Sequence, residues 1–183
     1  MRLEIEDVCE ADLQQLPDWS SASHGPDAGC RFCLYWEQPG FEGRDLAIEE
    51  RESAKRRWFR EVAAEFGCCG KIARAESALV GYSQFAPARY LPQAAEYACG
   101  PASDDAAFIS CLYVHDQRGR GIGTALLQAV LHGLQDREVK SVETFARKGS
   151  ANNPSGPLRF WLKHGFSIIR EDADFALVRK ELA

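Results

Sequence analysis

The residues Leu112-Tyr113-Val114-His115-Asp116-Gln117-Arg118-Gly119-Arg120-Gly121-Ile122-Gly123-Thr124 offer the most specific chemistry in this chain. A hydrophobic run ends in a polar turn, three alternating glycines follow, and an amphipathic run begins. That order predicts a strand, a bare backbone loop and a helix N-terminus. Such a junction gathers unpaired amide N–H groups at one spot, and the helix dipole adds partial positive charge there. Glycine permits positive φ and lets a ligand approach without meeting a Cβ. The expected ligand is a phosphate or a pyrophosphate. A glycine-rich turn that merely joins strand to helix is the plainer alternative.

Spacing separates this loop from other phosphate loops. No Lys-Ser/Thr pair follows the glycines, so it is not a Walker loop. Nor is it a dinucleotide fingerprint, because the position expected for the last glycine is Leu126. Arg118-x-x-Gly121-x-Gly123 resembles the acyl-CoA signature of the GNAT acetyltransferase superfamily, an Arg or Gln followed by x-x-Gly-x-Gly/Ala. A second motif follows in order. Phe160-Trp161-Leu162-Lys163-His164-Gly165-Phe166 is similar to the family's Phe-Tyr-x-Lys-x-Gly-Phe. The departure is Trp161, where many members carry a Tyr able to protonate the leaving thiolate. An indole N–H donates but does not titrate usefully. Trp161 is therefore read as packing on the cofactor, or else as a core aromatic.

The resemblance implies acetyl-CoA as co-substrate and a primary amine as acceptor, attacking the thioester directly. Holding both reactants in line would supply much of the rate. It also implies that the strand ending at Val114 splays from its neighbour. Leu112, Tyr113 and Val114 would then meet the pantetheine and polarise the thioester carbonyl, as an oxyanion hole does. Arg118, Gly119, Arg120, Gly121, Ile122, Gly123 and Thr124 would hold the pyrophosphate, and Asn153 the pantetheine arm. The acceptor, a small-molecule or peptide amine, is expected against residues 20–42 and 85–92. Loss of the Tyr leaves a second reading open: a GNAT-fold module that binds acyl-CoA or a metabolite and catalyses little. A homodimer is one open assembly.

A general base would be a carboxylate or a water chain facing the cleft. Asp105, just before the central strand, leads by position, and Glu143 and Glu37 follow. His115 reads as a turn residue. Seven cysteines, with no pattern of export, argue against a disulfide framework. Cys30-Arg-Phe-Cys33 is half of a zinc site, and Cys68, Cys69 or His24 could in principle complete it. With only one such pair, the expectation is reduced thiols and no metal.

These residues need a scaffold. A chain of 183 residues suits one domain, 1–183. Its net charge of −5 offers no basic field for nucleic acid. No apolar run is long enough for a bilayer, and the acid-bearing, alternating start predicts a cytoplasmic protein. Strands are expected at 2–8, 71–75, 79–85, 108–114, 141–145, 166–169 and 175–178. Helices are expected at 11–16, 44–66 and 124–135, with a further one starting at Asn153-Pro154. Residues 87–101 read as a loop. The run 108–114 is apolar on both faces, which marks a central strand. The fold class is α/β (α+β): a mixed, mostly antiparallel central sheet flanked by helices on both faces, a GNAT-like acyl-CoA N-acyltransferase fold.

Overall fold

The computed structural model describes residues 2–16, 29–40, 46–115, 118–149 and 156–182. Seven strands form one sheet: β1 (Leu3–Asp7), β2 (Gly70–Ala75), β3 (Ala78–Pro87), β4 (Ala107–Val114), β5 (Ser141–Arg147), β6 (Ser167–Glu171) and β7 (Phe175–Glu181). Their order is β1-β2-β3-β4-β5-β7-β6. Every neighbouring pair is antiparallel except β4 and β5. The strand that is apolar on both faces, β4, is the central one, as its sequence requires.

Among the described residues three α-helices cover the sheet: α1 (Ile48–Glu65), α2 (Ile122–Gln135) and α3 (Leu158–Lys163). On α2, Ile122, Leu126, Val130 and Leu134 fall four apart and are all buried. They join Ile109, Leu112, Val142 and Trp161 on one face of the sheet. On α1, Trp58, Phe59 and Val62 pack on the other face with Tyr82, Phe108 and Phe145. Arg137 ties the two layers together. Its guanidinium donates to Gly133 O at the end of α2 and to Phe66 O and Cys68 O beyond α1, each at 2.8 Å.

Some boundaries differ from the sequence reading. The helix expected from 44 begins at Ile48, with the Glu50 carboxylate accepting the Ala47 N–H at 2.9 Å. A carboxylate in this position satisfies a free first-turn amide and fixes the start. The helix expected from Asn153-Pro154 begins instead at Leu158. Pro157 is extended there, and Arg147 N donates to Gly156 O at 3.0 Å, which ties this stretch to β5. Asn153 itself lies outside the described residues. The run 87–101 contains two 3-10 helices, Ala88–Tyr90 and Pro92–Glu96. The turn of the β2–β3 hairpin is Glu76-Ser77, with φ of 50° and 72°. Both central residues take the left-handed values that match the twist of a tight hairpin.

The pattern ending Lys-x-Gly-Phe has a local physical cause. Gly165 adopts φ 81° after the last turn of α3. Gly165 N then donates to Leu162 O at 3.1 Å, and Phe166 N to Trp161 O at 3.2 Å. This is a Schellman stop, which wants glycine at the left-handed position and an apolar contact across it. Trp161 and Phe166 supply that contact, with ring centroids 5.0 Å apart.

Candidate active site

The cleft arises from an interrupted ladder. β4 pairs with β5 only through Ala107↔Val142 and Phe108↔Glu143. Past that point Thr144 Oγ1 donates to Ile109 O at 2.7 Å, a side-chain bond where a ladder bond would stand. β4 then continues to Val114 paired with β3 alone. His115 N donates to Val80 O on β3 at 2.9 Å. Alternation in an antiparallel ladder turns the N–H groups of Val114 and Leu112 the other way, to the open edge.

The glycine loop faces this edge. Gly119 and Gly121 have φ of 84° and 82°. A Cβ on either would meet nothing within 4 Å, so the space in front of them is open. Gly121 is the N-cap of α2, and the first helical bond runs from Ala125 N to Gly121 O at 3.0 Å. The amides of Ile122, Gly123 and Thr124 precede that bond and carry the positive end of the helix dipole. Gly123 sits where a Cβ would lie 3.6–3.7 Å from Val114, Leu112 and Phe160, at the meeting of β4, α2 and α3.

A cleft of about 640 Å³ results. Leu112, Tyr113 and Val114 form one wall, and Arg118, Gly119, Gly121, Ile122, Gly123 and Thr124 form the end. The structure thus gathers nine of the residues singled out in the sequence. Opposite them stand Gly156, Pro157, Arg159, Phe160 and Lys163; Phe160 and Lys163 belong to the second motif, but none of the five was singled out as a site residue. The Arg118 guanidinium lies 5.9 Å from the Tyr113 ring centroid. Thr124 Oγ1 and His164 Nε2 are 3.1 Å apart, joining α2 to α3 beneath the opening. Burial, with Lys163 and Lys180 nearby, holds the His164 pKa below the usual histidine range. The imidazole is therefore neutral at pH 7 and bonds as a neutral ring.

Three expectations need correction. Trp161 does not line the cleft. It is fully buried, and its neighbour Phe160 turns to the opening. One helical residue is a rotation of about 100°, and the Phe166 contact fixes which ring goes inward. The Arg120 side chain is exposed and outside the lining, which leaves only its backbone amide for the cradle. Asp105 lies beyond the opposite end of β4 from Val114. Both its carboxylate oxygens accept from the Arg179 guanidinium at 3.0 Å. That bond holds its pKa below the usual carboxylate value, the wrong direction for a base at neutral pH. We expect Asp105→Asn to leave turnover within about twofold of wild type in steady-state assays. A loss of more than about tenfold would restore it as a base.

The other acids are differently placed. Glu143 is fully buried and accepts from Ser103 N at 2.8 Å, Ser103 Oγ at 2.7 Å and Arg179 at 3.0 Å. It anchors the segment before β4. Glu37 is buried in an ion pair with Lys55 on α1. The sequence signal for that pair lies in the helix pattern: Lys55, Trp58, Phe59 and Val62 follow the i, i+3, i+4, i+7 spacing of one buried stripe. A lysine in the first position of an apolar stripe must find an anion.

Among the described residues no helix is long and apolar enough to cross a membrane. All seven cysteines are unbridged. No group of three or more His, Cys, Asp or Glu is arranged to hold a metal, again among the described residues. His24 lies outside them.

The open parallel edge, the glycine cradle and the helix terminus together define an acyl-transferase type of site. The family model of the acetyltransferase (GNAT) family matches residues 31–166. The chain belongs to that family. Its fold is shared by PaiA N-acetyltransferase from Thermoplasma acidophilum, solved in complex with coenzyme A, at 17% identity, TM-score 0.55 and 99% coverage of both chains. It is shared too by an N-acetyltransferase from Staphylococcus aureus Mu50, at 16% identity, TM-score 0.60 and full coverage of both. The putative acetyltransferase yncA from Salmonella typhimurium, solved with acetyl-CoA, matches at 14% identity and TM-score 0.60, covering 99% of this chain and 94% of its own. No curated protein matches this chain.

Proposed function

We propose that this protein transfers an acetyl group from acetyl-CoA to a primary amine by direct attack on the thioester. The observation that carries the reading is the amide cradle of residues 119–124 set against the unpaired edge of β4. The diphosphate would lie on the Gly119–Thr124 backbone, with open space in front of Gly119 and Gly121. The pantetheine would add to the Leu112–Val114 edge as a strand does. Its thioester oxygen would then accept from an edge amide, which stabilises the charge that develops there. The proton of the leaving thiol would come from a group other than Trp161, since indole does not titrate usefully. Two of the structures that share the fold hold coenzyme A or acetyl-CoA, which supports the choice of ligand.

Arg118, Arg159 and Lys163 border the same opening and would meet phosphate charge outside the cradle. Losing one such charge-assisted contact at a solvated rim is expected to weaken acetyl-CoA binding about three- to tenfold. Arg159→Ala and Lys163→Ala should each do so, and should flatten the salt dependence of Kd measured by calorimetry. Unchanged affinity at low salt would remove these two residues from the site.

The reading is tested by thiol release from acetyl-CoA with tyramine, putrescine and alanylalanine as acceptors. Acetylated product with any of them supports it. Tight binding of acetyl-CoA with no acetylated product would instead make the chain a binding module, a reading favoured by the absence of a tyrosine at position 161.

A further inference from the structure

One polar cluster is not used by the cofactor cleft. Lys55 Nζ donates to Glu37 Oε1 and, at 2.7 Å, to Gln84 Oε1. Gln84 Nε2 donates to the same Glu37 Oε1 at 2.8 Å, and Tyr82 OH to Gln84 Oε1 at 3.0 Å. Lys55, Gln84 and Tyr82 are at most 2% exposed, and the Glu37 side chain is 4% exposed. The other oxygen of the carboxylate, Glu37 Oε2, is buried and accepts no hydrogen bond among the described residues.

The cluster stands beside the open edge. In the β3–β4 ladder Gln84 faces Cys111 and Tyr82 faces Tyr113. A shift in register between Gln84 and Phe85 puts one extra residue, Ser110, into β4. Cys111 therefore shares a face with Phe108, on the side of Trp36 and α1. The cluster is thus one strand from Tyr113 in the cleft wall, on the sheet face opposite α2.

Its charge is balanced. Burial, the largest single effect, opposes the Lys55 ammonium, but the Glu37 carboxylate and its hydrogen bond, together with the nearby Cys33 and Cys111, leave its pKa above the ordinary lysine value. Burial pushes the thiols of Cys33 and Cys111 up, so both stay neutral beside it. One cation and one anion remain, with the lone pairs of Glu37 Oε2 unfilled. A second cation would unbalance the pair. A neutral N–H donor would complete it, since a buried acceptor is costly when left unpaired. An amine attacks a thioester only in its neutral form, so the same chemistry that fits Glu37 Oε2 suits the nucleophile.

We infer that Glu37 is the acceptor-binding residue, its free Oε2 accepting an N–H of the neutral primary amine while Lys55 and Gln84 hold Oε1. The inference rests on the acetyl-transfer reading. Lys55 and Gln84 are positioning residues in it, and Glu37 touches the substrate.

The test is calorimetric binding of tyramine, putrescine and alanylalanine to protein saturated with coenzyme A. At least one should bind wild type. Glu37→Gln places an N–H₂ where Oε2 was and so removes the acceptor for the amine's N–H, and affinity for that amine should fall at least about tenfold. Coenzyme A affinity should stay within twofold. Glu37→Gln alone leaves the Lys55 charge buried without its partner, so Glu37→Gln/Lys55→Met is made as well. Its melting temperature should exceed that of the single variant while amine binding stays weak. Wild-type amine affinity in either variant would show a purely structural pair, or one that holds only water, and would overturn the inference. Coenzyme A binding with none of the three amines bound would also overturn it. Failure of wild type to bind coenzyme A at all would overturn the acetyl-transfer reading, and this inference with it.

Discussion

Gly121→Val is expected to abolish the rise in melting temperature that acetyl-CoA gives wild type. At a hundred times Kd a ligand adds about 2.7 kcal/mol to stability, and the variant should show none of it at the same concentration. Two effects combine. Gly121 has φ 82°, so any side chain strains the N-cap of α2 by about 1–2 kcal/mol. The space a Cβ would enter is empty in the protein and belongs to the proposed diphosphate site. Gly40→Val separates the two effects. Gly40 has φ 71° with nothing within 4 Å and does not line the cleft. It should lose stability similarly but keep the full ligand shift. A ligand shift preserved in Gly121→Val would contradict the cradle.

Trp161→Ala is expected to cost about 3–5 kcal/mol of stability by denaturant titration. The side chain is fully buried. Its ring lies against Phe160 at 5.3 Å and Phe166 at 5.0 Å between centroids, and it closes the Schellman stop of α3. A loss below about 1 kcal/mol would show that the site collapses around the gap or that the ring is not part of the core. Trp161→Phe keeps an aromatic ring for the edge-to-face contacts with Phe160 and Phe166 and should leave the pH profile of turnover unchanged. An ionisation that vanishes in that variant would give the indole a chemical part to play.

The glycine loop was legible because its chemistry is backbone chemistry. Positive φ, absent Cβ atoms and a helix start all follow from residue type and spacing, and Gly119 and Gly121 adopt the conformations that spacing requires. Side-chain placement was less legible. Whether Phe160 or Trp161 faces the cleft depends on one step of helix rotation, and on a contact with Phe166 that no periodicity reveals. Asp105 looked well placed by its distance from β4 along the chain. That distance does not say at which end of the strand the cleft opens, nor that Arg179 waits there. Lys55 was hidden in a helix that reads as charged and solvated. Its anion is Glu37, 18 residues away in a segment of irregular structure.

The two-pair join between β4 and β5 also divides the sheet mechanically. β1 to β4 form one plate and β5 to β7 another. Between the plates run the short parallel ladder, the Thr144–Ile109 bond and the Phe108–Phe145 ring contact at 5.1 Å, and the segment before β4 adds the Ser141 Oγ to Asp105 O bond at 3.3 Å, the Arg179–Asp105 pair and the Ser103–Glu143 bonds. A molecule lying in the fork touches both plates, since one wall belongs to β4 and the other to the α3 segment tied to β5. It therefore acts as a tie bar across the weakest seam of the sheet. Resistance of the seam to being pried open would then depend on whether the fork is filled, so release of a molecule bound there would loosen the fold at the place where the next one must enter.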